Sequence, residues 1–233
     1  MNENIAVLIF TDGRKECFSR TFQSFKENVT AKCISYKIII NDSNDPSFTS
    51  WLDINYRHDV DHIEHHKERL GFGGTIRDTW HKLNKIAGIY DYLFHLEDDF
   101  IFNRPINLDD LILILKKNPN MAQVCLLRQP WNQNEVNAGG VWQQRPDRFI
   151  EESVDSRSGK IYYLSHREWF STNPCVYPKW VASLGWPEGL NSEEIFWDEK
   201  LLPRTLLTCS YFGSKADPPA VSHIGSGRMG EGY

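Results

Sequence analysis

Three short, almost unbroken apolar runs constrain this chain most: Ile5–Phe10 (IAVLIF), Tyr36–Ile40 (YKIII) and Tyr92–Leu96 (YLFHL). Each is far shorter than the ~20 residues of a membrane-spanning helix. None alternates polar and apolar, so each reads as a strand covered on both faces. Each also stops at a polar cluster, Thr11-Asp12-Gly13-Arg14, Asn41-Asp42-Ser43-Asn44-Asp45-Pro46 and Glu97-Asp98-Asp99 respectively. Between the first two runs, Phe18, Phe22 and Phe25 recur at helical spacing and mark one buried face. A short strand is expected near His62–Glu64. Gly71-Phe72-Gly73-Gly74 reads as a flexible loop, with Thr75 capping a helix to about Leu83. Leu108 to Lys117 reads as a helix opened by Asn107 or Asp109, and Gln123–Leu127 as the next strand. Alternating strands and helices predict an α/β fold with a mostly parallel sheet flanked by helices.

Beyond residue 128 the texture changes. Six of the eight tryptophans fall here (Trp131, Trp142, Trp169, Trp180, Trp186, Trp197), and prolines break the pattern at Pro130, Pro146, Pro174, Pro178 and Pro187. A helix is expected over Ser192–Leu202, a strand over Leu206–Tyr211, and loop from Asp217 to Tyr233. No repeat or linker separates the parts, so 1–233 reads as a single domain with halves 1–127 and 128–233.

The formal net charge of −5 argues against gripping nucleic acid or anionic membrane by bulk electrostatics. The five cysteines are scattered, with no CxxC pair, which suggests neither a zinc site nor a disulfide framework. With no signal peptide and no transmembrane segment in view, the chain reads as cytoplasmic with reduced thiols.

The chemistry lies in the polar stops. Glu97-Asp98-Asp99 at the carboxyl end of a buried strand sits where open α/β sheets place ligands. Adjacent carboxylates repel one another and call for a cation, Mg²⁺ or Mn²⁺ by their oxygen donors; a solvated acidic turn is the plain alternative. Asp42 could accept from a base or ribose hydroxyl, or simply form an Asx turn. Arg69 and Arg77 flank the glycine loop ending in Gly74, a set suited to a diphosphate. His58, His62, His65 and His66 stand among acids, and a solvated connection is the simpler reading than a metal site. Glu193 and Glu194 at a helix start either serve the helix dipole or supply a general base. His223, alone in a late glycine loop, matters only if it converges on the acidic cluster.

Taken in order, these stations resemble the GT-A nucleotide-sugar glycosyltransferases, close to the family-2 type. Thr11 to Arg14 looks like that family's Thr-x-x-Arg turn. Ile40 to Asp45 looks like its Asp-Asp-Gly-Ser-x-Asp nucleoside loop, and Leu70 to Asp78 resembles its Gly-x-x-x-Ala-Arg-Asn segment. Glu97-Asp98-Asp99 falls where its Asp-x-Asp motif belongs. Departures are Asn41 for Asp, Asp78 for Asn, Glu97 in the first acidic slot and Glu194 where Asp is usual. The resemblance implies Mn²⁺ or Mg²⁺ held by Asp99 and His223. It implies a nucleotide-sugar donor, a UDP-sugar, bound by Thr11, Arg14, Asp42, Gly74, Arg77, Glu97 and Asp98. It implies catalysis by Glu194 or Glu193, with Glu194 preferred as the second acid of the pair, and an inverting transfer. The acceptor would be a glycan, or a modified base in DNA. Two other classes stay open: a non-catalytic nucleotide-sugar-binding homologue, and a nucleotidyltransferase, against which the short, glycine-poor first loop argues.

Overall fold

A computed structural model describes residues 3–32, 34–85 and 90–225. Cys33, and the glycine-rich end from Ser226 onward that the sequence assigns to loop, lie outside the described residues. The first half runs β1 (Ile5–Thr11), α1 (Lys15–Asn28), β2 (Val29–Thr30), β3 (Ile34–Asn41), α2 (Pro46–Tyr56), β4 (His62–His65), α3 (Gly71–Asn84), β5 (Tyr92–Glu97), β6 (Phe100–Phe102), β7 (Ile106–Asn107), α4 (Leu108–Lys117) and β8 (Met121–Leu126). The second runs α5 (Gln133–Ala138), β9 (Ile150–Ser156), β10 (Gly159–His166), β11 (Cys175–Pro178), α6 (Lys179–Ala182), α7 (Ser192–Phe196), β12 (Thr208–Phe212) and β13 (Val221–His223).

Nine strands form one sheet in the order β4-β3-β1-β5-β11-β8-β12-β10-β9. β4, β3, β1 and β5 are mutually parallel, and the three apolar runs are the inner strands β3, β1 and β5, with the polar β4 at the edge. All seven residues of β1 are buried. β11 then enters antiparallel between β5 and β8, and β12 runs parallel to β8. The β9–β10 hairpin closes the far edge.

Helices cover both faces. Phe18, Phe22 and Phe25 of α1 pack with Phe48 and Leu52 of α2 and with Leu111 and Leu115 of α4 on one side. On the other, Ile76 and Trp80 of α3 meet Trp186, Phe196 and Trp197. Truncating one such phenylalanine to alanine costs ~3–5 kcal/mol, so α1 is fixed by its aromatic stripe rather than by a cap. The tryptophan-rich segment therefore contributes to the core: Trp186 and Trp197 are buried, and Trp186 stacks on Phe196 at 5.0 Å.

Four local expectations shift. The loop expected from Asp217 carries a strand, β13, because Val221–His223 pairs with β6. Gly71-Phe72-Gly73-Gly74 is the first turn of α3, not a loop. The expected 192–202 helix is a short α7 followed by one π turn over Trp197–Leu201. The strand expected over Leu206–Tyr211 starts later, at Thr208.

Candidate functional site

Because β1 and β5 are parallel neighbours with Phe10 opposite Glu97, the turn after β1 meets the acidic run after β5. Thr11 Oγ1 donates to Asp98 Oδ2 at 2.6 Å. The Arg14 guanidinium lies across the next two acids, donating to Asp99 Oδ2 at 2.6 Å and to Asp98 Oδ1. Its Nε faces Asp12 at 3.2 Å, and Asp12 also accepts from Arg69. Gly13 has φ +109°, and a side chain there would also press on Ser43. Only glycine lets this turn adopt that backbone beside the β3 loop.

Three adjacent acids thus occupy three environments. Burial pushes the Glu97 carboxyl up to about 8, helped by the charges of Asp99 and Glu193. Burial likewise takes Asp98 to about 7 against the pull of Arg14. At Asp99 burial acts upward too, but the His223 hydrogen bond and Arg14 together hold it below the ordinary carboxylate value.

His223 reaches Asp99 from the far end of the chain. β13 pairs with β6, setting His223 opposite Phe100, and Ile224 N donates to Asp99 O at 2.7 Å. Gln129 clamps the His223 backbone with two bonds of 2.8 and 2.9 Å. The ring packs against Trp131 and Phe100, and its Nε2 lies 3.1 Å from Asp99 Oδ2. Asp99 Oδ1 is buried without a hydrogen-bond partner among the described residues. A Cβ on Gly225 would collide with the Asp99 carboxylate. An orphaned buried oxygen, a nearby imidazole and a glycine that keeps the approach open fit a divalent cation. A mixed oxygen and imidazole donor set suits Mn²⁺ better than Mg²⁺.

Asp42, at the end of β3, accepts from Leu70 N and Gly71 N, both at 2.8 Å, and so starts α3. This is why the glycine run is helical. Its Oδ1 also meets His66 Nδ1 at 2.9 Å, while His66 Nε2 faces Asp78 at 3.3 Å and Glu64 at 3.7 Å. Hydrogen bonding to Asp42, then to Glu64, raises the imidazole to about 9. Glu64 falls to about 2, with His66 the first cause. Glu64, His66 and Asp78 are close enough to share a cation, but the Lys82 ammonium already bridges the two carboxylates. Of the four histidines expected in a solvated connection, His66 is instead a buried part of this network; His58 and His62 are exposed. Arg77 bonds Pro187 O at 3.3 Å and faces Glu188, which ties α3 to the loop before α7. A Cβ on Gly74 would crowd Leu70.

α7 opens at Asn191, held at φ +58°. Glu193 turns inward: its Oε1 accepts from Thr172 N at 2.5 Å and Thr172 Oγ1 at 2.7 Å. Its charge is felt by Glu97, His95, Cys125 and Cys175. Glu194 is exposed, and both acids line a cavity of about 570 Å³. Thr172 carried no signal in the sequence that would single it out, since its role depends on the fold bringing β11's approach beside α7.

No family model matches this chain, and no curated protein matches it. Solved structures do. S. aureus TarS superposes with a TM-score of 0.57 at 16% identity over 96% of this chain and 37% of TarS. GalNAc-T7, solved with UDP, GalNAc and Mn²⁺, gives 0.62 at 13% identity over 96% of this chain and 44% of its own. The 1–349 piece of TarS in complex with UDP gives 0.57 at 12% identity, over 94% and 60% respectively. This chain therefore spans less than two thirds of the length of each. The fold it shares with these glycosyltransferases is the GT-A nucleotide-sugar type.

Proposed function

We propose that this protein is a Mn²⁺-dependent glycosyltransferase that moves a sugar from a UDP-sugar to an acceptor hydroxyl with inversion. The observation that carries the reading is the meeting of Asp99 and His223, from distant parts of the chain, beside the Arg14-bound acids at the end of β5. A solvated acidic turn would not be buried, as Asp98 and Asp99 are. GalNAc-T7 and TarS, which share the fold, were solved with UDP, and the former with Mn²⁺.

In this reading Asp99 and His223 hold the cation. When bound, a divalent cation neutralises charge developing on the departing diphosphate. Arg14 and Arg69 supply further positive charge at the same loop. A carboxylate offers about four acceptor sites, and Asp42 spends three on Leu70, Gly71 and His66. The site left on Oδ2 accepts from the nucleoside. Glu193 takes the proton of the acceptor hydroxyl as its oxygen bonds to the anomeric carbon and the bond to the diphosphate oxygen breaks. The inward aim of Glu193, fixed by Thr172, favours it over the sequence-preferred Glu194, which stands exposed at the cavity mouth.

The test is UDP binding by calorimetry with and without Mn²⁺, in the natural protein and in Asp99→Asn. Mn²⁺ should tighten UDP binding only in the natural protein. Equal Mn²⁺-dependent tightening in Asp99→Asn would refute the metal assignment. Release of pyrophosphate rather than UDP on turnover would make the protein a nucleotidyltransferase.

A further inference from the structure

The cavity beside Glu193 has a charge pattern that bears on the acceptor, and the inference drawn from it rests on the glycosyltransferase reading. Its ionisable lining is two arginines, Arg128 and Arg145, and five carboxylates, Glu135, Glu168, Glu193, Glu194 and Asp198. Both arginines already hold a carboxylate of the same lining. Arg128 makes a two-pronged pair with Glu135, at 2.7 and 2.9 Å, and Arg145 pairs with Glu168 at 2.7 Å. Five negative charges against two positive leave three net negative charges, those of Glu193, Glu194 and Asp198. The remaining wall is aromatic and amide. Trp169, half-buried, is held by its Nε1–H to Tyr211 OH at 3.0 Å, and Asn173 and Gln144 add neutral donors and acceptors.

We infer that the acceptor seated in this cavity is an uncharged or amino-bearing sugar, and that acceptors carrying phosphate or carboxylate near the reacting hydroxyl are excluded. An aromatic face packs on sugar C–H surface, and amides pair with hydroxyls in the way pockets of this size recognise small polar ligands. An anion brought among the three carboxylates that have no arginine partner meets like-charge repulsion in a partly desolvated site, and the two arginines in the wall are each neutralised by a carboxylate. An ammonium gains what the anion loses. A DNA backbone or a polyol-phosphate chain is disfavoured on the same ground, since binding of nucleic acid leans on cationic contacts to phosphate.

The experiment is saturation-transfer NMR on the full chain with saturating UDP and Mg²⁺, the diamagnetic stand-in for Mn²⁺ that leaves the probe signals sharp. The probes are methyl glucoside, glucosamine, glucuronate and a glucose phosphate, each at equal concentration. Methyl glucoside and glucosamine should give protein-contact signals at least about tenfold stronger than the two anions, the discrimination expected of ~1.4 kcal/mol. Asp198 is exposed, so Asp198→Lys should fold normally, weaken glucosamine severalfold and admit glucuronate and the glucose phosphate. Anions that bind as well as the neutral sugar, no signal from any probe, or no change in preference in Asp198→Lys would overturn the inference. UDP binding in the same samples separates this from the donor reading. If UDP binds and the sugar preference is wrong, only the acceptor inference falls. If UDP does not bind, the glycosyltransferase reading itself falls.

Discussion

His66 gives the sharpest stability prediction. Its imidazole goes from an ordinary value near 6.5 to about 9 in the folded protein, because Asp42 and Glu64 hydrogen-bond its protonated form. Since the folded value is raised, the stabilisation is fully present below about pH 6.5 and is lost as pH rises through about 9. At ~1.36 kcal/mol per pH unit, the ceiling is about 3 kcal/mol. Two of the facing carboxylates, Glu64 and Asp78, keep 17% and 30% of their side-chain surface wet, which screens part of that. About 2 kcal/mol is the expected value. Urea unfolding of the natural protein and of His66→Gln, at about pH 6 and about pH 10, measures it. Tyrosines, cysteines and lysines titrate in both proteins and cancel in the difference. The natural protein should be more stable by about 2 kcal/mol at the lower pH, and the gap should close toward zero at the higher. A gap that is the same at both, or that widens with pH, would show that His66 is held neutral and that the cluster is not organised by its charge.

Three further outcomes are expected. Glu193→Gln should leave UDP affinity and melting temperature nearly unchanged while turnover falls by ~10²-fold or more, and Glu194→Gln should cost much less; the reverse order would move the base to Glu194. Gly225→Ala sets a methyl group against the Asp99 carboxylate, so Mn²⁺-dependent UDP binding should weaken at least about tenfold in calorimetry while binding without metal holds. Limited proteolysis should release no stable fragment on cutting at residues 128–160, and two independently folding pieces would refute a single domain.

What the sequence disclosed, and what it withheld, divides along a physical line. β1, β3 and β5 were legible because strands buried on both faces must be apolar throughout, and α1 because its phenylalanines repeat at helical spacing. Asp99 and His223 were legible as members of a resemblance, although nothing in their spacing shows that they touch. The start of α3 was hidden because glycines oppose helix, and the groups that offset them are the oxygens of Asp42 in another loop. The β9–β10 hairpin was hidden for a different reason. It is an edge, most of β9 is exposed, and Val154 is its single buried residue, so no alternation stands out. His66 looked like a solvated residue because its partners, Asp42 and Asp78, come from the loop after β3 and from α3. Of the six late tryptophans, Trp186 and Trp197 are core, Trp142, Trp169 and Trp180 are partly buried against it, and Trp169 lines a cavity.

The placing of β11 between β5 and β8 has a consequence for how the protein is made. Ribosomes add ~5–20 residues per second, so the roughly fifty residues between the end of β8 and the start of β11 take ~3–10 seconds to emerge. Through that interval β5 and β8 have both been synthesised, yet the strand that bonds to each of them has not. The edges of β5 and β8 that β11 will bond stand open on the nascent chain, and they are the kind of edge that pairs with a neighbouring copy. Slowing translation between residues 127 and 175 would lengthen the exposure, and a holding chaperone that shields those edges would raise the yield of folded protein without touching its final stability.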